Sequence, residues 1–177
     1  MEDIKYSGKI IEVVQYKKGD RVFEKARRSP GVRALIVDND KILLSKEYRE
    51  ETQNYDYRLP GGKVFDSLEK YKQHINEDIK LFAEKAVIKE IREEVGLLAR
   101  RPRLIKISKA GATVEWDLFY FLINDFTTNK NGQELEEGED ITFDWYSYNE
   151  VIKLCLEQKV QEDRSVGILL SYILKQK

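Results

Sequence analysis

The chain has 177 residues, 41% of them hydrophobic and 36% charged, which is enough apolar side chain for one domain with its own core. Its 31 basic and 32 acidic residues leave a net charge of -1, which excludes a global field that would recruit nucleic acid or an anionic membrane, so an anionic ligand must be met by local charges or by metal. A single cysteine (Cys155) excludes an intrachain disulfide and a cysteine metal cluster, and a single histidine (His74) argues against a multi-histidine metal site or a histidine-based triad.

The N-terminus, Met1-Glu2-Asp3-Ile4-Lys5, has no apolar targeting segment, and no apolar run approaches membrane-spanning length, so a cytoplasmic protein is expected. Residues 10–15 and 21–26 read as the arms of a hairpin around Lys17-Lys18-Gly19-Asp20. Arg27-Arg28-Ser29-Pro30-Gly31 breaks that pattern. Strands are then predicted at 32–37 and 41–45, around the turn Asp38-Asn39-Asp40. Arg58-Leu59-Pro60-Gly61-Gly62-Lys63 is a loop, because a helix tolerates neither the proline nor the paired glycines. Residues 66–76 have no strong pattern and read as an inserted loop.

The clearest helix covers 76–95, with Asn76 as N-cap and Glu77 and Asp78 in its first turn. Ile79, Phe82, Ala83, Ala86, Val87, Ile91 and Val95 share its apolar face, and Gly96 is its stop. Strand-like runs follow at 104–108, 114–123 and 141–146, then amphipathic helices at 148–157 and 162–174. Cys155 sits in an apolar helical pattern and is expected to be a buried core thiol. Hairpin-linked strands flanked by few helices predict an α+β fold on a mixed sheet rather than a doubly wound parallel one.

The chemistry is concentrated in Lys89-Glu90-Ile91-Arg92-Glu93-Glu94-Val95-Gly96-Leu97. Glu90, Glu93 and Glu94 stand at i, i+3 and i+4, on one helix face. The plain alternative is a solvated acidic face. Against it, the glycine stop places the carboxylates on the last turns, where the helix dipole disfavours negative charge. The upstream Pro-Gly-Gly-Lys loop can also bring bare backbone close to a ligand. Oxygen-only ligation suits a hard cation, Mg²⁺ with Mn²⁺ as the alternative.

These residues resemble the Nudix hydrolase signature, Gly-x5-Glu-x7-Arg-Glu-U-x-Glu-Glu-x-Gly-U, where U is a bulky aliphatic. Its second half matches residues 89–97, and Leu59-Pro60-Gly61-Gly62-Lys63-Val64 matches its usual start. The signature arginine is Lys89 here, its glutamate partner falls on Leu81, and the loop between the halves is longer than the signature allows. In the family that Glu–Arg pair braces the loop; Lys89 meeting Glu77 or Asp78 is the expected substitute. Further likeness to the ADP-ribose pyrophosphatase and nucleotide-sugar hydrolase branch comes from the N-terminal hairpin and Arg28-Ser29-Pro30-Gly31-Val32. It extends to Glu47-Tyr48-Arg49, Glu137-Gly138-Glu139-Asp140-Ile141 and a looser Glu157-Gln158-Lys159-Val160 with Asp163 nearby.

The resemblance implies a Nudix-type α/β/α sandwich with a mixed β-sheet, preceded by an N-terminal β-hairpin. Residues 1–28 would form a strand extension that can mediate a homodimer, and 29–177 the hydrolase domain with an insert near 66–82. It implies metal-dependent cleavage of the pyrophosphate of a nucleoside diphosphate linked to another moiety, with ADP-ribose or a related nucleotide sugar the best single substrate. Glu90, Glu93 and Glu94 would hold metal with a backbone carbonyl of Gly61 or Gly62. Glu139, or alternatively Glu137, would serve the attacking water, with Glu93 also counted among the catalytic carboxylates. Arg49 and Arg28 would bind phosphate, and Tyr6, Tyr16, Phe23 or Trp116 would stack on base or sugar, core packing being the stronger expectation for Trp116. The rivals are a dinucleoside polyphosphate or nucleoside triphosphate as substrate, and a non-catalytic nucleotide sensor. Arg100-Arg101-Pro102-Arg103 is too short, and too poor in aromatics, for a nucleic-acid partner.

Overall fold

The computed structural model describes residues 2–50 and 52–176. The chain opens with strands β1 (Asp3–Ser7), β2 (Ile11–Lys18), β3 (Arg21–Arg28), β4 (Gly31–Asp38), β5 (Lys41–Arg49) and β6 (Asn54–Arg58). Helices α1 (Leu68–His74) and α2 (Ile79–Val95) follow, then β7 (Leu97–Ala99), β8 (Arg103–Ser108), β9 (Val114–Glu115), β10 (Leu118–Ile123), β11 (Phe126–Thr128) and β12 (Ile141–Ser147). Helices α3 (Tyr148–Leu156) and α4 (Asp163–Leu174) close the chain.

The main sheet runs β12-β5-β4-β10-β8, with β6 also paired to β5. It is mixed: β10 lies parallel to β4 and antiparallel to β8. Strands β4 and β10 are apolar over nearly their whole length because both faces of the sheet are covered. Successive side chains alternate between two cores. Val32, Ala34, Ile36, Phe119, Phe121 and Ile123 pack with Ala83, Val87 and Ile91 of α2. Leu35, Leu118, Tyr120 and Leu122 pack with Val151 and Cys155 of α3 and Leu169 and Ile173 of α4. This is an α/β/α sandwich of the α+β class. Cys155 is the buried thiol expected.

The N-terminal strands form a second sheet, β1-β2-β3-β9. The β2–β3 hairpin was legible, whereas β1 was not, since all five of its residues are exposed. The predicted strand at 114–123 is two: β9 pairs with β3, and the chain crosses at Trp116-Asp117 to enter the main sheet as β10. Short β7 and β11, and β6, carry too few apolar residues to be read without their partners.

The structure corrects the reading of residues 66–78. The segment expected as a loop contains α1, capped by Ser67, whose side chain accepts from the Lys70 amide at 3.2 Å. Only Leu68 of α1 is buried, which leaves no periodic signal. The cap of α2 is Asp78 rather than Asn76: its carboxylate accepts from the Lys80 amide at 3.1 Å. Glu77 is instead 2.7 Å from the ring of His74, closing the preceding turn.

Candidate active site

The Pro60-Gly61-Gly62 loop lies flat on β4, where the Ala34 amide donates to Pro60 (2.8 Å) and the Val32 amide to Gly62 (3.0 Å). The approach is so close that a Cβ on Gly61, whose φ is 147°, would stand 2.2 Å from the Val32 carbonyl oxygen. A Cβ on Gly62 would stand 2.2 Å from Oε1 of Glu90. The glycines therefore let the last turns of α2 touch the loop, and the Gly61 amide donates to Oε2 of Glu94 at 2.8 Å.

Gly96 ends α2 in the left-handed conformation (φ 63°), its amide bonded to Arg92 and Ile91. The following segment then zips along this helix end: the Asn129 amide donates to Gly96 (2.8 Å) and the Glu134 amide to Glu93 (2.9 Å). That carries the acidic loop 134–140 to the cavity.

The result is a cavity of about 690 Å³. It brings together Gly61, Gly62, Glu90, Glu93, Glu94, Arg49 and Glu139 of the expected site residues. Glu137 is not among its walls. Arg28 lies outside it, in a neighbouring cavity of about 500 Å³ that shares Arg49, Gly61, Gly62 and Lys63 with the first. The acidic cavity also has walls that were not singled out from sequence: Glu136, Glu47, Asp66, Lys85 and Phe82. Glu47 belongs to the Glu47-Tyr48-Arg49 motif, and Glu136 immediately precedes the acidic motif that begins at Glu137. Phe82 was read only as a core residue of α2.

Burial is the main force on two of these carboxyls. It pushes the pKa of Glu94 up to about 8, against the Gly61 amide and Arg33, which favour the charged form. It pushes that of Glu90 up to about 7, with repulsion from Glu93 and Glu139 adding to it. Glu93 is held differently, with Lys89 at 2.9 Å and Arg92 at 3.3 Å. Lys89 thus braces Glu93 within the helix rather than meeting Glu77 or Asp78, and the upstream carboxylate that feels its charge is Asp66. Leu81, at the place of the signature glutamate, is 61% exposed and braces nothing.

Among the described residues no three acidic, histidine or cysteine side chains converge on one ion-sized point. The donor set nonetheless fits a hard cation. It is all oxygen, two of its carboxyls are buried without a countercharge that outweighs burial, and the bare Gly62 lets the Glu90 carboxylate lie directly against the loop. Mutual repulsion and the Gly61, Lys89 and Arg92 contacts account for the open arrangement.

Of the candidate stacking aromatics, none lines the acidic cavity. Tyr16 and Phe23 stack on each other with ring centroids 5.3 Å apart, and Tyr6 is exposed. Trp116 packs on the α3–α4 core, and its ring has the guanidinium carbons of Arg28 and Arg164 at 4.4 and 4.3 Å. His74 stacks on Phe65 and packs against Phe82, tying α1 to the cavity wall, and is not among the residues lining the cavity.

Among the described residues no helix is long and apolar enough to cross a membrane. No curated protein matches this chain in sequence. A solved structure described as that of an ADP compounds hydrolase superposes with a TM-score of 0.72 over 99% of this chain and 90% of its own, at 18% identity, which establishes a shared fold. The NUDIX domain family model matches residues 27–167. With the signature carboxylates and the glycine loop facing one cavity, the chain belongs to the NUDIX family and is a Nudix pyrophosphohydrolase.

Proposed function

We propose that this protein hydrolyses the pyrophosphate of a nucleoside diphosphate linked to another moiety, ADP-ribose or a related nucleotide sugar, with Mg²⁺ or Mn²⁺ as cofactor. One observation carries the reading: two buried, charge-starved carboxyls, Glu90 and Glu94, stand against a bare glycine loop in a cavity large enough for a substrate diphosphate. A structural role would have given them cationic partners.

Glu90, Glu94 and Glu93 would hold the metal. Of the two loop carbonyls, that of Gly61 is favoured as a further ligand, because the Gly62 carbonyl already accepts from Val32. A divalent cation held there would supply charge neutralisation for the diphosphate and acidify the attacking water. Glu139 would orient the attacking water and accept its proton; it is preferred to Glu137 because it lines the cavity. Glu93 contributes once it is released from Lys89 and Arg92. Arg49, held at 2.8 Å by Glu47 and shared by both cavities, positions the diphosphate. The substrate assignment is supported by the N-terminal extension, the Glu47-Tyr48-Arg49 motif and the fold shared with an ADP compounds hydrolase.

We also keep residues 1–28 as a dimerisation element ahead of a hydrolase domain spanning 29–177, with an insert near 66–82. The support is the exposed apolar set Ile4, Tyr6, Ile10, Val22 and Phe23 on that extension. A cytoplasmic location remains the proposal from sequence.

The test is a panel of nucleoside diphosphate derivatives, dinucleoside polyphosphates and nucleoside triphosphates, with Mg²⁺ or Mn²⁺ and product identification. AMP plus ribose 5-phosphate from ADP-ribose is the expected outcome. Glu94→Gln should lower that turnover by more than about a hundredfold, the upper end of what outer-sphere metal partners cost, with the fold retained. Near-normal turnover in this variant would remove the metal assignment, and a protein that binds nucleotides without cleaving any would be a sensor.

A further inference from the structure

The acidic cavity has one aromatic wall among the described residues, Phe82, which comes from the start of α2. It begins a stripe of that helix, Phe82, Lys85, Ala86, Lys89, Glu90 and Glu93, all of which line the cavity. Positions at this spacing share one helix face. A rise of about 1.5 Å per residue sets Phe82 about 12 Å from Glu90 along the axis, a span that a diphosphate with one attached sugar covers.

The Phe82 ring is partly buried and firmly held. The centroids of Phe65 and His74 lie 5.1 and 4.8 Å from its own. Phe65 is buried and clasped by Ser29: its amide donates to the Ser29 hydroxyl at 3.2 Å, and its carbonyl lies 3.1 Å from the same oxygen. His74 stacks on Phe65 at 5.5 Å with the ring planes 8° apart, and Glu77 sits 2.7 Å from its Nδ1. Leu81, in the place of the signature glutamate, is exposed and leaves the loop without an ion-pair brace at that position. The three rings join the end of the glycine loop, α1 and α2 instead.

Beside this ring the cavity offers the Asp66 carboxylate and the Lys85 ammonium. An apolar face flanked by an acceptor and a donor suits a sugar, whose C–H face packs on a ring and whose hydroxyls give and take hydrogen bonds. We propose that Phe82 is the specificity-determining platform of this site, on which the sugar linked beyond the diphosphate packs, and that α1, through His74, positions its ring. This rests on the diphosphate being held at the glutamates of the same cavity.

The experiment is isothermal titration in EDTA with ADP-ribose and with ADP, which lacks the terminal ribose. The parent should bind ADP-ribose more tightly than ADP. Phe82→Leu should weaken ADP-ribose about three- to tenfold, the range for one lost ring contact, and leave ADP unchanged, whereas Phe82→Tyr should keep the preference. His74→Ala, at a partly exposed side chain, should shrink the preference without moving ADP. A parent with no preference, a preference that survives Phe82→Leu, or equal losses for both ligands with a lowered melting temperature overturns the platform. An unchanged preference in His74→Ala removes α1 from it. Nothing is turned over in EDTA, so a ring-dependent preference in a protein that cleaves no ADP-ribose when given metal leaves the platform standing and ends the substrate assignment. Cleavage of ADP-ribose without such a preference ends the platform alone.

Discussion

Two regions of this molecule each gather three glutamates, and their chemistry is opposite. Beneath the N-terminal sheet, Arg27 lies among Glu2, Glu12 and Glu115, at 2.7, 3.0 and 2.7 Å, with Lys72 on Glu12 at 2.7 Å and Lys25 on Glu115. Those cations hold Glu2 below the ordinary carboxyl range through hydrogen bonding, and hold Glu115 below it in spite of burial. At the end of α2, Glu90 and Glu94 have no such partner, and burial drives them upward. The residue type is the same; the countercharge decides whether a cluster is structural cement or a site waiting for a cation.

The largest effect that would test this contrast is expected from Arg27→Met. Glu12 is fully buried, and removing its guanidinium leaves a buried carboxylate with Lys72 alone. A loss of about 3 kcal/mol is expected in urea denaturation, at the low end for breaking a buried pair, with metal affinity little changed. A stability change below about 1 kcal/mol would show that this network resembles an ordinary surface cluster.

Next in size is the pH response of the metal-free protein. Glu90 and Glu94 have folded pKa values of about 7 and about 8, above the ordinary 4.5, so the folded protein binds more protons than the unfolded chain between those limits. Stability therefore falls as pH rises from about 5 to about 8, by an amount on the order of a few kcal/mol. Glu2 and Glu115 act in the other direction: their contribution is present above 4.5 and is lost as pH falls through their lowered values. A stability maximum near pH 5 follows for the metal-free protein, and Mg²⁺ should raise the melting temperature more at pH 8 than at pH 6. A flat profile across that window would mean that the two carboxyls are solvated.

The smallest effect sharpens the comparison at one atom. Gly62→Ala places a methyl on Oε1 of Glu90, the far end of a flexible side chain, so the fold should lose less than about 1 kcal/mol. Metal affinity should nonetheless drop about tenfold, the lower end for a displaced metal-site partner. Isothermal titration with Mn²⁺ measures it, and parent-like affinity would show that Glu90 does not need that space.

Much of this was legible in sequence because it is local. The period of α2, its Gly96 stop and the triplet Glu90, Glu93 and Glu94 follow from 3.6 residues per turn. The mixed sheet follows from hairpin turns such as Asn39-Asp40, both of which have positive φ. Helix α1 escaped because it buries one residue, and β1 because it buries none. The resemblance put Glu139 ahead of Glu137, but that both Glu139 and Glu136 line the cavity while Glu137 does not depends on the fold of that loop.

By itself, then, the sequence determined which carboxylates share a helix face and that a glycine loop precedes them, because both are consequences of spacing along the chain. Only the tertiary structure decided which charges go unanswered. Arg27 met three acids, Arg28 beside it forms no ion pair among the described residues, and Lys89 turned back to Glu93 instead of across to the insert. Countercharges come from segments far apart in sequence, and burial, which sets the cost of leaving them unpaired, exists only once those segments have packed.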